Sequence, residues 1–329
     1  MSNYIIFDLE WNQGSALTEN PNIPFEIIEI GAVKLDANKN IIDRFNEYVR
    51  PQVYKKMNFM TRQVIHMDLE ELKEAEIFPH VVRRFLRWCG EDYIFCTWGN
   101  LDLTELQINM RYYGIDPLSD GPIKFLDVQK LFSLVYSDGK SRRALETAVD
   151  FMKIEKNDMF HRADSDAYYT AEILRKMNRP DVEGYYSIDV FHTPKDAKSE
   201  VHARFKTYSK YISREFESKQ DAQKEPEVAV LRCYICGKAL KKSVPWFTVN
   251  NKHYYSVGNC DEHGLMRAKL RLKKNEDGNL YVVKTVRNAV KEDIENLKKR
   301  EKKSKAQAAK LAAMEQKTRG RSRRKSKRK

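Results

Sequence analysis

A short apolar run that ends in two acidic residues places the strongest constraint on the fold of this chain. Residues 4–10 read YIIFDLE, and apolar side chains occupy both faces of the strand before Asp8 and Glu10 appear. Such a strand is typical of the buried centre of a sheet. Side chains two residues apart lie on one face, roughly 6.5–7 Å apart. The two carboxylates can therefore share a metal ion, at a place where charge is costly without a partner. The alternative is an exposed strand end.

The order of apolar patterns over the first half of the chain predicts an α/β domain. Two more strands are expected at 26–36 and 41–49, joined by a turn at 37–40, which predicts an antiparallel meander. Helical stripes then alternate with short apolar strands up to about residue 180, which indicates a mixed sheet with flanking helices. The later strands are expected at 93–98 and 123–128, and the helices at 78–88, 103–113, 145–152 and 163–174.

Three more polar residues stand at the starts of predicted helices. Asp102 follows a strand and opens a helix, where α/β sheets place their sites, although the helix dipole alone also favours an acid there. Asp166 lies beside the stripe of small residues that is expected to face the sheet, whereas Asp164 is expected to be solvated. His161 precedes the same helix.

Together these four carboxylates and one histidine suit metal-dependent cleavage of a phosphodiester. Mg²⁺ prefers oxygen ligands. Two such ions about 3.5–4 Å apart can hold the attacking and leaving oxygens of an in-line displacement. A histidine with a pKa near neutrality can accept the proton of the attacking water. The set therefore predicts a hydrolase with His161 as the proton acceptor.

Three segments resemble the exonuclease motifs of the DEDDh 3′–5′ exonuclease superfamily, which has a ribonuclease-H-like fold. The resemblance covers about residues 1–180 and implies a mixed five-stranded sheet with flanking helices. The spacing of His161 and Asp166 favours the histidine class over the sister class with tyrosine. WGNLD at 98–102 is most similar to the branch that trims short RNAs and histone messenger 3′ ends, and to a bacterial sporulation-inhibitor relative. The motifs are FDLEWN (7–12), TWGNLDLTEL (97–106) and HRADSDAYYTAEIL (161–174), and FEIIEIGAVKLD (25–36) and FNEYVRP (45–51) resemble the second and third strands.

The resemblance also implies roles for individual residues. It implies that Asp8, Glu10 and Asp166 hold one Mg²⁺ or Mn²⁺ ion, that Asp8 and Asp102 hold a second, and that His161 is the general base. It implies that the backbone near Leu9 and Trp11 holds the 3′-terminal nucleotide. The segment MTRQVI (60–65), which contains Thr61, stands where the superfamily has a Thr-Gly-Ile segment that shapes the pocket for the terminal base, with Arg62 at the position of the glycine.

Three of the five cysteines cluster towards the C-terminus at metal-binding spacing. Cys233 and Cys236 form one pair, and Cys260 and His263 form a second pair after 23 intervening residues. Four N and S ligands in two such pairs are typical of one tetrahedral, structural Zn²⁺ ion. His253 is the alternative fourth ligand, but it lacks a partner at this spacing. We expect a small zinc-ribbon-like domain at 229–287.

Aromatic and basic residues surround the predicted zinc site. Aromatic side chains among cations can stack bases and hold phosphates. The alternative is a small aromatic core with solvated lysines. The residues are Trp246, Phe247, Tyr254 and Tyr255, with Lys238, Lys241, Lys242, Arg267, Lys269, Arg271 and Lys273.

The net charge of +13 indicates a polyanionic partner. Residues 287–329 hold 18 Lys and Arg against 5 Asp and Glu, and the rest of the chain is neutral. The alternative is a solubilising tail without a partner. We expect a linker at 181–228 with a charged helix at 198–224, a basic helix at 288–316, and a disordered basic tail at 317–329. The tail would add salt-sensitive phosphate binding, or act as a localisation signal.

The remaining features favour an intracellular, cytoplasmic enzyme. No run of 18 apolar residues and no signal peptide are found, so no membrane partner is expected. No obligate protein partner is inferred. The favoured interpretation is a metal-dependent 3′–5′ exonuclease acting on single-stranded or 3′-overhanging RNA. The alternatives are a DNA 3′–5′ exonuclease and a non-catalytic nucleic-acid-binding regulator.

Overall fold

The computed structural model describes residues 2–15, 17–65, 68–177, 183–248, 250, 252–275 and 277–306. The chain divides into two compact units, residues 1–192 and residues 193–329. Among the described residues, no helix is both long enough and apolar enough to cross a membrane.

The first unit is built on a mixed sheet. Its described strands are β1 (Asn3–Gln13), β2 (Phe25–Leu35), β3 (Ile41–Tyr48), β4 (Tyr93–Thr97), β5 (Ile123–Asp127) and β6 (Ser187–Asp189), in the order β3-β2-β1-β4-β5-β6. The predicted meander is confirmed, because β1, β2 and β3 pair antiparallel. β4 and β5 then add in parallel to β1. The sheet has one strand more than the predicted five, since the three-residue β6 pairs antiparallel at the edge of β5.

Helices cover both faces of this sheet. The described helices are α1 (Phe59–Ile65), α2 (Phe78–Cys89), α3 (Leu101–Tyr112), α4 (Val128–Tyr136), α5 (Leu145–Phe151) and α6 (Ala163–Lys176), with 3-10 turns at Leu69–Leu72 and Glu183–Tyr185. Ile5, Phe7 and Leu9 of β1 belong to the core that contains residues of α2 and α3. Tyr4 and Ile6 belong to the core under α4, α5 and α6. Because side chains alternate along a strand, Asp8 and Glu10 lie on the α6 side.

A glycine in β2 sets the distance between α6 and the sheet. Gly31 pairs with Asp8 in the antiparallel register of β1 and β2. A Cβ atom at Gly31 would lie 2.1 Å from the backbone of Ala163 and Asp164, the first residues of α6. Only glycine therefore permits this approach. It brings the acidic first turn of α6 directly over Asp8.

The second unit is an antiparallel sheet with short helices on one side. Its described strands are β7 (Val201–Arg204), β8 (Tyr208–Ile212), β9 (Lys241–Thr248), β10 (His253–Cys260), β11 (Gly264–Lys274) and β12 (Leu280–Asn288), in the order β7-β8-β12-β11-β10-β9. The helices are α7 (Lys219–Lys224) and α8 (Pro226–Ala229). This sheet is larger than the expected zinc-ribbon-like module at 229–287, because β7 and β8 belong to it.

The prediction of a linker at 181–228, with a charged helix at 198–224, is wrong over most of that segment. β7 and β8 pair with each other, and β8 pairs with β12. Within β7, Ala203 is buried while His202 and Arg204 are exposed. Polar and charged residues at alternate positions of β7 resemble the exposed face of a helix in the sequence, and within 198–224 only the six residues of α7 are helical.

A C-terminal helix packs on the second sheet. Residues 291–306 are helical, and the predicted helix at 288–316 lies outside the described residues beyond 306, as does the predicted tail at 317–329. Leu297 is 2% exposed and joins a core cluster with Phe247, Tyr255 and Val257. Arg300 lies over the Tyr255 ring, 4.5 Å from its centroid.

Candidate active site

Side chains from four elements of the first unit converge on one cavity. Asp8, Glu10 and Asp166 each offer a carboxylate oxygen, and these atoms lie within 4.8 Å of one another. Asp102 and His161 line the same cavity, which has a volume of about 410 Å³. All five residues singled out in the sequence therefore meet at the carboxyl ends of the parallel strands β1 and β4, where α/β sheets place their sites.

Asp102 reaches the cavity through the turn that follows β4. The chain leaves the strand at Thr97, whose hydroxyl donates to the Gly99 carbonyl at 2.7 Å, and Gly99 has φ +110°. This left-handed turn lets α3 begin at Leu101. Asp102 consequently lies in the first turn of α3 and is 6% exposed.

His161 lies in a strained turn immediately before α6. It has φ +65°, a left-handed conformation that a non-glycine residue adopts at some cost. Its backbone N–H donates to Asp166 Oδ2 at 3.3 Å. The side chain is exposed at the cavity, while Asp164 is exposed and does not line it, as the sequence predicts.

An ion pair that sequence reasoning missed anchors this turn. Arg162 donates to the fully buried Glu29 of β2, with Nε–Oε2 at 3.2 Å and Nη2–Oε1 at 3.3 Å. It also donates to the Tyr48 hydroxyl and lies 5.3 Å from the centroid of that ring. Glu29 pairs with Glu10 across β1 and β2. An acid inside an otherwise apolar strand, EIIEIGAV, was the available signal.

Burial and mutual repulsion hold the carboxyl groups of the cavity towards their neutral forms. Burial, then the charges of Asp102 and Glu10, raises the pKa of Asp8 well above its usual value. Burial, then Asp166 and Glu29, raises the pKa of Glu10 to about 8. Burial also raises the pKa of Asp102 and of Asp166 to about 7, against the opposing effect of backbone hydrogen bonds. The four groups cannot all ionise near neutral pH without a cation.

One atom of this cluster independently indicates a missing partner. Asp166 Oδ1 is buried and has no hydrogen-bond partner among the described residues. A buried polar atom without a partner is costly and calls for an ion or water. Clustered carboxylate oxygens are the donors that Mg²⁺ and Mn²⁺ prefer. The residues present therefore fit a divalent cation.

The predicted substrate-binding residues also line the cavity. Leu9, Trp11 and Thr61 contribute to its wall, together with Met60 of α1. Arg62 instead forms an ion pair with Asp68 at 2.8 Å and is exposed. Trp98 and Leu145 line the cavity as well and were not singled out in the sequence. Trp98 is held by a hydrogen bond from its Nε1 to the Arg143 carbonyl at 3.1 Å.

The second unit contains the predicted cluster of three cysteines and a histidine. The ligand atoms of Cys233, Cys236, Cys260 and His263 lie within 4.8 Å of one another. Cys236 Sγ and Cys260 Sγ are 3.7 Å apart, and Cys260 Sγ and His263 Nδ1 are 3.6 Å apart. These separations exceed a disulfide bond and suit donors that surround one ion.

The local folding explains how the two pairs meet. The first pair lies in a turn closed by a bridge between Arg232 and Ala239, with Gly237 at φ +76°. The second lies at the end of β10 and in the turn to β11. Burial opposes ionisation of Cys260, but hydrogen bonds from His263 and neighbouring backbone lower its pKa to about 6, which favours a thiolate ligand. His253 lies at the other end of β10, hydrogen-bonded to Asn250, and is not in the cluster.

The aromatic residues near this cluster form core packing. Phe247, Tyr254 and Tyr255 are each 7–8% exposed and belong to core clusters of the second unit. Trp246 packs against two of these clusters, and its Nε1 donates to the Ala229 carbonyl at 3.0 Å. Phe247, Tyr254 and Tyr255 therefore follow the alternative of an aromatic core rather than a base-stacking platform, whereas Trp246 is half-buried.

Comparisons with known proteins agree with this arrangement. A family model described as exonuclease (RNase_T) matches residues 5–174. The chain is 24% identical over 161 residues to the 3′-5′ exoribonuclease 1 of Rattus norvegicus, covering 46% of each chain. It is 25% identical over 187 residues to the PolC-type DNA polymerase III of Latilactobacillus sakei, covering 57% of this chain and 12% of that protein. The chain thus spans less than half the length of these curated relatives.

Solved structures with similarity to this chain include the nuclease domain of 3′hExo bound to rAMP and exonuclease I. The first is 20% identical with a TM-score of 0.48, covering 57% of this chain and 96% of that chain. The second is 13% identical with a TM-score of 0.47, covering 78% and 55%. The matched family model spans more than half of the sequence and includes Asp8, Glu10, Asp102, His161 and Asp166. This chain belongs to the exonuclease (RNase_T) family.

Proposed function

We propose that this protein is a metal-dependent 3′–5′ exonuclease that removes nucleotides from the 3′ end of RNA. The observation that carries the proposal is the convergence of four carboxylates and His161 on one cavity, with Asp166 Oδ1 buried and unpartnered among the described residues. One relative is named as a 3′-5′ exoribonuclease and the other as a DNA polymerase, and both names support nucleic acid as the substrate.

The four carboxylates would hold two divalent cations, Mg²⁺ or Mn²⁺. Asp8, Glu10 and Asp166, whose oxygens cluster within 4.8 Å, would hold one ion, and Asp8 with Asp102 would hold the second. When bound, such ions stabilise the charge that develops on the phosphate oxygens during an in-line displacement. Gly31 and the Arg162–Glu29 ion pair would hold the carboxylates of α6 close to those of β1.

His161 would accept the proton of the attacking water. It is exposed at the cavity rather than packed in the core, so a water molecule and a proton can reach its imidazole. The hydrogen bond from its backbone to Asp166 fixes its position beside the carboxylates. A general base must lie within hydrogen-bond reach of the proton it takes, directly or through one water.

The cavity dimensions favour removal of one terminal nucleotide at a time. A volume of about 410 Å³ falls at the lower end of small-molecule sites and suits a single nucleotide. The backbone near Leu9 and Trp11 would hold the terminal sugar and base, with Thr61 at the wall contributed by α1.

RNA is the favoured polymer. One of the curated relatives is named as a 3′-5′ exoribonuclease, an enzyme of RNA. A protein distinguishes the two polymers through the 2′-hydroxyl, which only RNA carries. The motif WGNLD at 98–102 resembles the RNA-trimming branch.

Matched substrates test the polymer preference and the role of His161. Single-stranded RNA and DNA of identical sequence, each labelled at the 5′ end, are incubated with Mg²⁺, Mn²⁺ or chelator. RNA should shorten stepwise from its 3′ end faster than DNA, and His161→Ala should lose this activity while His80→Ala, which replaces an exposed histidine of α2, retains it. Faster degradation of DNA would assign the protein to the DNA exonucleases.

The Cys3His cluster would hold one structural Zn²⁺ ion. Cys233, Cys236, Cys260 and His263 would fill all four coordination positions of a tetrahedral ion, so no coordination position is left for a substrate. The cluster joins the turn after α8 to the β10–β11 turn and thereby stabilises the second unit. Thiol ligands must stay reduced, so a reducing cytoplasm is the favoured compartment.

A further inference from the structure

The two units carry opposite charge. Residues 1–192 hold 23 Lys and Arg against 31 Asp and Glu, a net charge of −8. Residues 193–329 hold 37 against 16, a net charge of +21, of which residues 193–306 contribute 27 against 15, or +12. The cationic excess is therefore not confined to the tail. An acidic nuclease unit repels a polyanion, so the second unit must supply the attraction.

Strand β11 presents four of its five cations on a single face. Arg267, Lys269, Arg271 and Lys273 occupy every second position, while the alternate residues Met266, Ala268 and Leu270 are buried. Side chains at such alternate positions repeat roughly every 6.5–7 Å along the strand. This regular spacing suits the repeating phosphates of an extended nucleic-acid strand.

Neighbouring elements extend this cationic face. Lys269 pairs with Tyr255 of β10, and Arg271 pairs with His253. Arg300 of the C-terminal helix reaches the same face by lying over the Tyr255 ring. We define the basic face as Lys252, Lys269, Arg271 and Arg300 around His253.

The basic face lacks neutralising acids within the described part of the chain. Arg267, next to it, is paired with Asp293 of the C-terminal helix. Lys269 and Arg271 have no ion pair with any described acid, in contrast to Lys238, which pairs with Glu262. Burial and then the charges of Lys269, Arg271, Lys252 and Arg300 lower the pKa of His253, which reports a positive field at this point.

We propose that the basic face binds the phosphodiester backbone of single-stranded nucleic acid. Binding there is indifferent to sequence, because the nearby rings of Phe247, Tyr254 and Tyr255 are buried in the core and cannot stack bases. It rests on the cations alone and is therefore strongly dependent on salt. This inference deepens the proposed function, since it names the surface that holds the strand whose 3′ end is cleaved.

The test measures binding without cleavage. Full-length protein carrying Asp8→Ala, without added Mg²⁺ or Mn²⁺, is titrated against 5′-fluorescein-labelled single-stranded RNA, and fluorescence anisotropy gives Kd over a series of KCl concentrations. The test variant adds Lys269→Gln and Arg271→Gln. The matched control adds Lys299→Gln and Lys302→Gln, two exposed cations on the side of the C-terminal helix opposite Leu297, so both variants lose the same charge.

Each phosphate contact contributes about 0.7 to the slope of log K against log[salt] for a single strand. The test variant should therefore flatten the slope by about 1.4 and weaken binding roughly 25-fold at 0.1 M salt, whereas the control should stay close to the parent. An unchanged slope in the test variant, or an equal loss in the control, would overturn the proposal. Circular dichroism of both variants confirms that each remains folded.

Failure of this proposal can be told apart from failure of the proposed function. If the wild-type protein cleaves no RNA but the slope of log K against log[salt] is flatter in the test variant, the basic face is supported and the nuclease assignment is rejected. If the protein cleaves RNA and the test variant binds as the control does, the nuclease assignment stands and the basic face falls.

Discussion

Replacement of Gly31 by alanine tests how the active site is assembled. The added Cβ would lie 2.1 Å from the backbone of Ala163 and Asp164, whereas Cβ contacts below 3.0 Å are essentially never seen. The start of α6 must therefore withdraw from β2 by about 1 Å, because packed backbone cannot be compressed. His161 and Asp166 lie at that end of α6 and must move with it, away from Asp8 and Glu10.

The expected loss of activity follows from this displacement. A misplacement of about 1 Å costs on the order of 10²-fold in rate. Overpacking costs ~1–3 kcal/mol of stability, which lowers the melting temperature by about 2–4 °C per kcal/mol in a unit of this size. The protein should remain folded below this lowered melting temperature, so a loss of rate in the folded variant reports on geometry.

The assay compares single-turnover cleavage of 5′-labelled RNA at saturating Mg²⁺. The matched control is Gly121→Ala in the same unit, because a Cβ atom there meets no atom within 4 Å. It should cleave at the wild-type rate. If Gly31→Ala also cleaves within about threefold of the wild-type rate, the close approach of α6 to β2 does not determine the positions of the active-site residues. This account of the assembly of the site is then refuted.

Three further perturbations have defined outcomes. The pKa of Glu10 is raised to about 8 and that of Asp166 to about 7, so the metal-free folded protein binds more protons than the unfolded chain. The contribution of these groups to stability should be complete below about pH 4 and be lost as pH rises through 7–8, while Mg²⁺ restores it. A melting temperature without added Mg²⁺ or Mn²⁺ that does not fall between pH 5.5 and 8.5 would contradict this. Purified protein should carry one zinc per chain by elemental analysis, lost in Cys233→Ser and kept in His253→Ala; zinc lost equally from both would reject the ligand assignment. Arg162→Gln leaves Glu29 buried without its cation and should lower the free energy of unfolding by roughly 3–5 kcal/mol in chemical denaturation. Arg62 forms an exposed ion pair, so Arg62→Gln should lower the free energy of unfolding by less than about 1 kcal/mol. Equal losses in Arg162→Gln and Arg62→Gln would refute the role of the buried ion pair as an anchor.

The parts of the fold that could be predicted carry strong local signals. The meander of β1 to β3 follows from apolar runs separated by a turn, and α6 follows from its stripe of small residues. Asp8, Glu10 and Asp166 could be singled out because an acid beside a buried face needs a partner. The cysteine pairs were found from spacing alone.

The parts that were missed depend on contacts between distant segments. β7 carries polar or charged residues at alternate positions, and only the pairing of β7 with β8 and of β8 with β12 shows that these segments are strands. Glu29 acquires its meaning from Arg162, 133 residues later in the chain. The aromatic residues of the second unit could not be divided between core and surface until the C-terminal helix was seen to cover Phe247 and Tyr255.

The central claim is that the carboxylate cavity hydrolyses nucleic acid from the 3′ end. The most direct measurement is a time course on 5′-labelled single-stranded RNA with Mg²⁺ or EDTA, using wild type and Asp166→Asn, which removes a negative charge while keeping the size of the side chain. The account predicts a ladder that shortens from the 3′ end only with wild type and Mg²⁺. Cleavage at the wild-type rate by Asp166→Asn, or in EDTA, would contradict it.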